Sequence, residues 1–412
     1  MKALVTSCLL LLVPASAAST WVVDAAGGGH FTSIQAAIDA AAPGDVLLVM
    51  SGNYAAFTLD KDLSILGPAT GSPPFVPGES LLLMDNAAIA GLRFSTLEVA
   101  GAAGFVLLDE IHVDGNLVGG AACDGMRIEG CAQVHVARSL IHGKDGDEWC
   151  ESRALGIVDS TVTLTGCTLV GGTGWGDDFF GYPGIEGLDI VGDSRVLLSQ
   201  TSVFGGNGGT PEILFGGQGG WGAEAIRVSW SEREGPASCT VRGTGSIQIA
   251  GGQAGQGIGG QAAWTAATGY GTLTVSGVSY SPEHFGALLE VVMPRPAQPF
   301  VNLVGGDGPR AFKRLNLHGP DGTPLLVFAS LHPALLSLPG PVDGAIWLDL
   351  ATPVLILPVA LLGQELPVNF TFSMPAALTG FEGLTVTFQG FAQGLGASGN
   401  HLATNPAHLL VR

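Results

Sequence analysis

Apolar and polar residues alternate along this chain in short runs that end at a glycine and then begin again. FVLLDEIHVDG starts at Phe105, QVHVARSLIHG at Gln133, TVTLTGCTLVGG at Thr161 and RVLLSQTSVFGG at Arg195. Val106, Val134, Val162 and Val196 align at spacings of 28, 28 and 34 residues, and positions +2, +5 and +7 from each valine are mostly apolar. The copies close at Gly115, Gly143, Gly171 and Gly205. Alternation with period two predicts strands, and the return of the pattern at a fixed distance predicts stacked coils in place of hairpins. GSIQIAGG near Ile247 and GTLTVSGVSY near Leu273 continue the series less regularly. At about 25–30 residues per coil and a strand spacing of about 4.8 Å, eight to ten coils make a rod about 40–50 Å long.

Ahead of the repeat the period changes. Ile34, Ala37, Ile38 and Ala41 share one helical face, Thr32 and Gln35 have capping-box spacing, and Pro43-Gly44 ends the helix. A short amphipathic helix opening a run of strands predicts a lid on the apolar end of a solenoid. Beyond Met293-Pro294-Arg295-Pro296 the repeat stops. TPLLVFAS, AIWLDL and LTVTFQGFA are longer apolar runs punctuated by Pro and Gly, the pattern of a small antiparallel sandwich. The expected organisation is a leader over 1–17, a helix cap over 18–45, a parallel β-helix over 46–292 and a β-sandwich over 293–412.

The leader is expected from the charged start at Met1-Lys2, the apolar stretch Leu4 to Val13 and the small residues Ala15-Ser16-Ala17. It predicts an exported protein, secreted or on the cell surface. VTSC at Val5 to Cys8 has the look of a lipidation box, but its cysteine precedes the leucine run. TPVLILPVALLG is apolar but too short to span a bilayer and carries two prolines. The formal net charge is −19, with 29 acidic and 11 basic side chains before residue 293 and 6 and 5 after it. Such a surface argues against nucleic acid, which needs Lys and Arg to displace counterions. It also repels acidic polysaccharides.

The order of helix, PGD, β run, GNY and KDLSILG resembles the opening of right-handed parallel β-helices of the pectin lyase-like superfamily, pectin methylesterases included. The resemblance implies a right-handed all-β solenoid, a fold that hosts lyases, hydrolases, esterases and non-enzymatic surface proteins. The tail resembles C-terminal all-β modules of secreted bacterial proteins. CDGMRIEG followed by KDGDEWC is similar to the polygalacturonase arrangement, in which carboxylates on adjacent coils act as acid and base. That resemblance makes Asp124, Asp145, Asp147 and Glu148 the catalytic candidates. Against it, Ala122-Cys123 stands where that family has Asn-Thr, Gly146 splits the acidic pair, and neither Gly-His-Gly nor Arg-x-Lys follows. The pectin methylesterase motifs beyond the cap are absent as well.

A bland reading of the same stretch is scaffold. Val134 and Val136 point inward, His135 outward, and Asp124 and the acids after Lys144 lie in loops between coils. Cys123 and Cys150 fall at nearly the same place on successive coils, within disulfide reach if the coils stack in register. Trp175, Asp177, Asp178, Phe179 and Tyr182 in WGDDFFGYPGIEGLD form a second candidate, in which rings stack on sugars and carboxylates accept hydroxyl hydrogen bonds. A calcium ion would draw on Asp177, Asp178 or Asp189, although no calcium-loop motif frames them. The histidines, His112 and His135 among them, are expected at the surface and show no metal-ligand spacing. The expectation is a secreted surface protein that interacts with carbohydrate or an envelope component and has no demonstrable active site. The alternative is a polysaccharide-degrading hydrolase or lyase working through acidic loops.

Overall fold

The computed structural model describes residues 18–410 except 116–123, 147–151, 213–217, 230–236, 243–246, 257, 277, 282–288, 293–299, 306–311, 319–322, 332, 337–341, 344–345, 349–353, 358–359, 363–367, 374–383 and 393–400. Cys123, Cys150, Asp147, Glu148 and the leader lie outside the described residues.

The chain is a right-handed parallel β-helix with one short helix at its start and antiparallel sheets at its end. Each full coil contributes to three faces. Phe105–Asp109, Gln133–Ala137, Thr161–Thr165 and Arg195–Ser199 stack in parallel on the first face. His112–Asp114, Leu140–His142, Thr168–Val170 and Ser202–Phe204 stack on the second. Asp124–Glu129, Arg153–Val158, Leu188–Val191 and Ile226–Val228 stack on the third. Val106, Val134, Val162 and Val196 are in register, as their spacing predicts, and line one buried core. The later first-face strands are Ser238–Arg242 and Thr272–Ser276, and Ile249 belongs to the second face. The sequence pattern misplaces this coil because a long insertion precedes it.

Two of the three corners are tight. Between the first and second faces, Glu110, Arg138, Gly166 and Gln200 all take left-handed backbone, φ 51°, 46°, 67° and 50°. Between the third and first, Gly130, Asp159, Gly192 and Ser229 do the same, φ 62°, 46°, 70° and 51°. A single left-handed residue turns the chain sharply, so the flanking strands at these corners are close in sequence from Phe105–Asp109 to Ser202–Phe204, whereas longer stretches separate Val228 from Ser238 and Arg242 from Gln248. The third corner, between the second and third faces, is where the long glycine-rich segments leave the coil.

The helix spans Ile34–Ala40, and Ile34, Ala37 and Ile38 are buried in the solenoid core, so it covers the end as expected. Its N-cap is Ser33, whose hydroxyl accepts from the amide of Ala36, and not Thr32. Beyond Glu290–Val292 pairing becomes mostly antiparallel, with Phe312–His318 between Phe300–Gly305 and Val368–Ser373, and Thr385–Ala392 between Pro324–Ser330 and His401–Leu410. These sheets do not stop at the far end of the solenoid. Leu410 packs with Val46, Leu66, Ala88, Ala90 and Leu107 on the outer side of the first face. His135, expected at the surface, points outward from its strand and is nevertheless fully buried, because the ring of His408 lies against it.

Candidate functional site

The glycine-rich segments at the open corner build a ledge beside the solenoid. The described residues 171–187, 205–212 with 218–225, and 251–256 with 258–266 run out from the second face and back to the third. Amides three residues apart bond the next layer: Gly171 to the carbonyl of Phe204 and Gly174 to that of Asn207, then Gly205 to Ala250 and Gly208 to Gln253. The returning runs repeat this, Gly181 to Gln218 and Gly184 to Trp221, then Gly219 to Ile258 and Gly222 to Gln261. Other amides tie outgoing to returning runs, as Gly209 does to Tyr182 and Gly255 to Gly220. A three-residue period of lateral bonding is that of polyproline II chains, here packed side by side. Only glycine permits the spacing. A Cβ on Gly206 would overlap the carbonyl of Gly172, on Gly209 that of Trp175, on Gly252 that of Gly206, and on Gly255 that of Gly209. The backbone groups therefore satisfy one another without a sheet, and the ledge is stiff without a hydrophobic core.

Asp145 lies in the layer beneath. Its carboxylate accepts from the amide of Thr173 at 2.7 Å, and Gly146 donates to the carbonyl of Thr173. Asp124 is not in a loop but opens the third-face strand Asp124–Glu129. It pairs with Arg153 at 3.1 Å and Arg127 at 3.8 Å, its carboxylate resting over Gly156. Among the described residues the two aspartates thus have different neighbours, Arg153 and Arg127 for Asp124 and the Thr173 amide for Asp145.

Trp175 and Tyr182 are stacked, ring centroids 5.2 Å apart and 22° between planes. The carboxylate of Asp177 accepts from the amides of Phe179 and Phe180 at 2.8 and 2.6 Å, which fixes the tip of the first long layer and holds that carboxyl below the usual range. Phe179 and Phe180 are 56% and 51% exposed, so the tip holds its rings in solvent. Phe180, Gln218 and Ile258 bridge in register across three layers. Trp221 and Trp264 are 55% and 69% exposed, and their indole nitrogens donate to the Gly259 carbonyl and to Gln261. Asp178 is exposed at the same tip. Asp189 is elsewhere, buried on the third face, and no group of three metal-ligating side chains forms among the described residues.

Along the foot of the ledge runs a row of charges. Asp189 accepts from Arg227 Nε and Nη2, both at 2.8 Å, and from Arg153, while Arg227 also reaches Glu186 at 2.8 Å. Burial pushes the carboxyls of Asp124 and Glu186 up despite these arginines. Glu186 and Glu224 each stand two residues before the paired Leu188 and Ile226, so they occupy the same place on adjacent coils. Glu224 accepts from Thr265, the neighbour of Trp264. Trp221, Trp264, Glu186, Glu224 and Arg227 were not singled out from sequence. The signal was present in the recurrence of IEGLDI and AEAIRV behind glycines spaced by three.

No protein-family model and no curated protein matches the chain. Among solved structures it is similar to the enzymatically active domain of tailspike protein 2 of bacteriophage CBA120, at 9% identity and TM-score 0.33, over 91% of this chain and 73% of that one. The corresponding domain of tailspike protein 4 gives 12%, 0.20, 89% and 64%. Likeness this loose does not bear on function, and the fold stands on the strand pairing itself.

Proposed function

We propose that this is an exported glycan-binding protein that holds a neutral polysaccharide against the rings of its ledge. The observation that carries the reading is the set of solvent-facing rings, Phe179, Phe180, Tyr182, Trp221 and Trp264, with the half-buried Trp175 stacked on Tyr182, mounted on a scaffold closed by main-chain hydrogen bonds. Rings held rigid in solvent lose little freedom when a sugar stacks on them. Exposed acids and carbonyls between the rings accept hydroxyl hydrogen bonds, and the net charge of −19 disfavours uronate polymers. The test is titration calorimetry against soluble neutral and acidic glycans. Neutral glycans bind, and Trp221→Ala with Trp264→Ala weakens that binding by about 1–3 kcal/mol. Equal binding by the parent and the double variant removes the ledge as the site.

A second reading, cleavage of the bound glycan, is supported by Glu186 and Glu224. A carboxyl raised by burial and a second carboxylate one coil away are what a general acid and a water-activating base require. Reducing-sugar release that disappears in both Glu186→Gln and Glu224→Gln, with binding retained, makes the protein an enzyme. No release from any glycan that binds leaves it a binding protein.

A further inference from the structure

The returning runs of the ledge turn one residue in three outward. Phe180, Gln218 and Ile258 are in register across the three layers and form a first row at the tip. Three residues on, the amide of Gly184 donates to the carbonyl of Trp221 and that of Gly222 to the carbonyl of Gln261, so Pro183, Trp221 and Gln261 form a second row. Trp264 stands three residues beyond Gln261, and its indole nitrogen donates to the Gln261 side chain at 2.8 Å, so the two project from one side of the run. Residues three apart in a threefold helix point the same way, and all seven of these side chains are exposed. Each run places one ring in these rows, and each ring is one row nearer the foot than the last. Phe180, Trp221 and Trp264 therefore lie on a diagonal across the layers, and each is more than half exposed.

We propose that this diagonal is the track for an extended β-1,4-linked neutral glycan, with each ring stacking on every second sugar. The inference rests on the glycan-binding reading and narrows it to one linkage geometry. Three residues of about 3.1 Å along a run and one layer of about 4.8 Å across it set neighbouring rings about 10 Å apart, and two sugars of an extended β-1,4-linked chain span about the same length. Consecutive sugars in such a chain are flipped, so the same apolar face of C–H groups returns at every second residue, where a ring can stack on it. An α-1,4-linked chain coils, and an α-1,6-linked chain turns freely about its extra bond, so neither returns a face at a fixed distance along a flat surface. Phe180, Trp221 and Trp264 would engage the first, third and fifth sugars. The opposite diagonal, from Ile258 through Trp221 to Glu186, carries one ring and offers no such series. Gln218 stands beside the track with an amide that donates to and accepts from equatorial hydroxyls, while Gln261 holds the indole of Trp264 in place.

The experiment is titration calorimetry of the full chain with cello-, manno- and xylo-oligosaccharides of two to six residues, all β-1,4-linked, and with malto- and isomalto-oligosaccharides of the same lengths. In at least one β-linked series the affinity rises with length up to the pentamer and then levels off, and the tightest series identifies the sugar. That pentamer binds about tenfold or more tightly than maltopentaose or isomaltopentaose, the scale of losing aromatic contacts. Phe180→Ala and Trp264→Ala each reduce the pentamer to the affinity of the trimer, and Trp221→Ala weakens it by about tenfold or more. If Trp221→Ala does not fold, the two end variants carry the test. Equal affinity for α- and β-linked pentamers overturns the track and leaves glycan binding in place. So does an affinity that stops rising at the disaccharide, or end variants that bind the pentamer as the parent does. A parent that binds no neutral glycan removes the track and the binding reading together.

Discussion

Asp124 and Asp189 show that two carboxylates beside the same arginine can differ in how much they stabilise the fold. Asp189 is 2% exposed at its side chain and lies between Arg153 and Arg227, so neither arginine has its full counter-charge without it. Asp189→Asn is expected to cost about 3–5 kcal/mol, the scale for leaving buried charges unpaired. Asp124 has its pKa raised by burial, with Arg153 and Arg127 opposing, so ionisation there costs more than the arginines return. Its contribution to stability therefore grows as the pH falls through its folded-state pKa, and Asp124→Asn imitates the protonated form. That variant is expected to change stability by less than about 1 kcal/mol at pH 7 and to leave any glycan cleavage unaltered. Urea unfolding of the two variants, side by side, checks the contrast, and comparable losses from both would refute it. The sequence resemblance that singled out Asp124 found a real position on the third face, where it serves the charge row.

At the scale of elements, the solenoid was legible because its inward positions are aliphatic and recur. Val134 and Val162 pair in the register that their spacing implies, and the helix face Ile34–Ala37–Ile38 closes the core. The ledge was not legible in the same way. Glycine layers held by main-chain hydrogen bonds leave no apolar periodicity in the sequence, only a period of three in small residues. His135 was misread for a related reason. An outward strand position looks exposed in sequence, and nothing local reveals that a strand over two hundred residues later lies on it. The ledge also fixes what one added methyl group should do. Gly209→Ala places a Cβ against the carbonyl of Trp175, which is main chain and cannot rotate aside. The expected cost is about 1–3 kcal/mol, with weaker glycan binding in the same variant. Thermal unfolding equal to the parent would mean that the layers do not pack this closely.

Across the whole molecule, the antiparallel sheets act as a lateral cover as well as a tail. Leu410→Asp introduces a charge over Val46, Leu66 and Leu107, and should loosen the last strand at a cost of roughly 3 kcal/mol. Increased binding of an apolar dye at pH 7, with far-ultraviolet dichroism retained, is the expected sign, and unchanged dye binding would separate the cover from that strip. The corners of the coil have a different consequence. At the corner between the second and third faces, added length is bonded layer to layer by backbone groups and leaves the valine register undisturbed. A lineage can therefore lengthen, shorten or redecorate its ledge one loop at a time without renegotiating the core. An engineer can graft a new recognition loop at 205–225 on the same terms, provided that the glycine at every third place is kept.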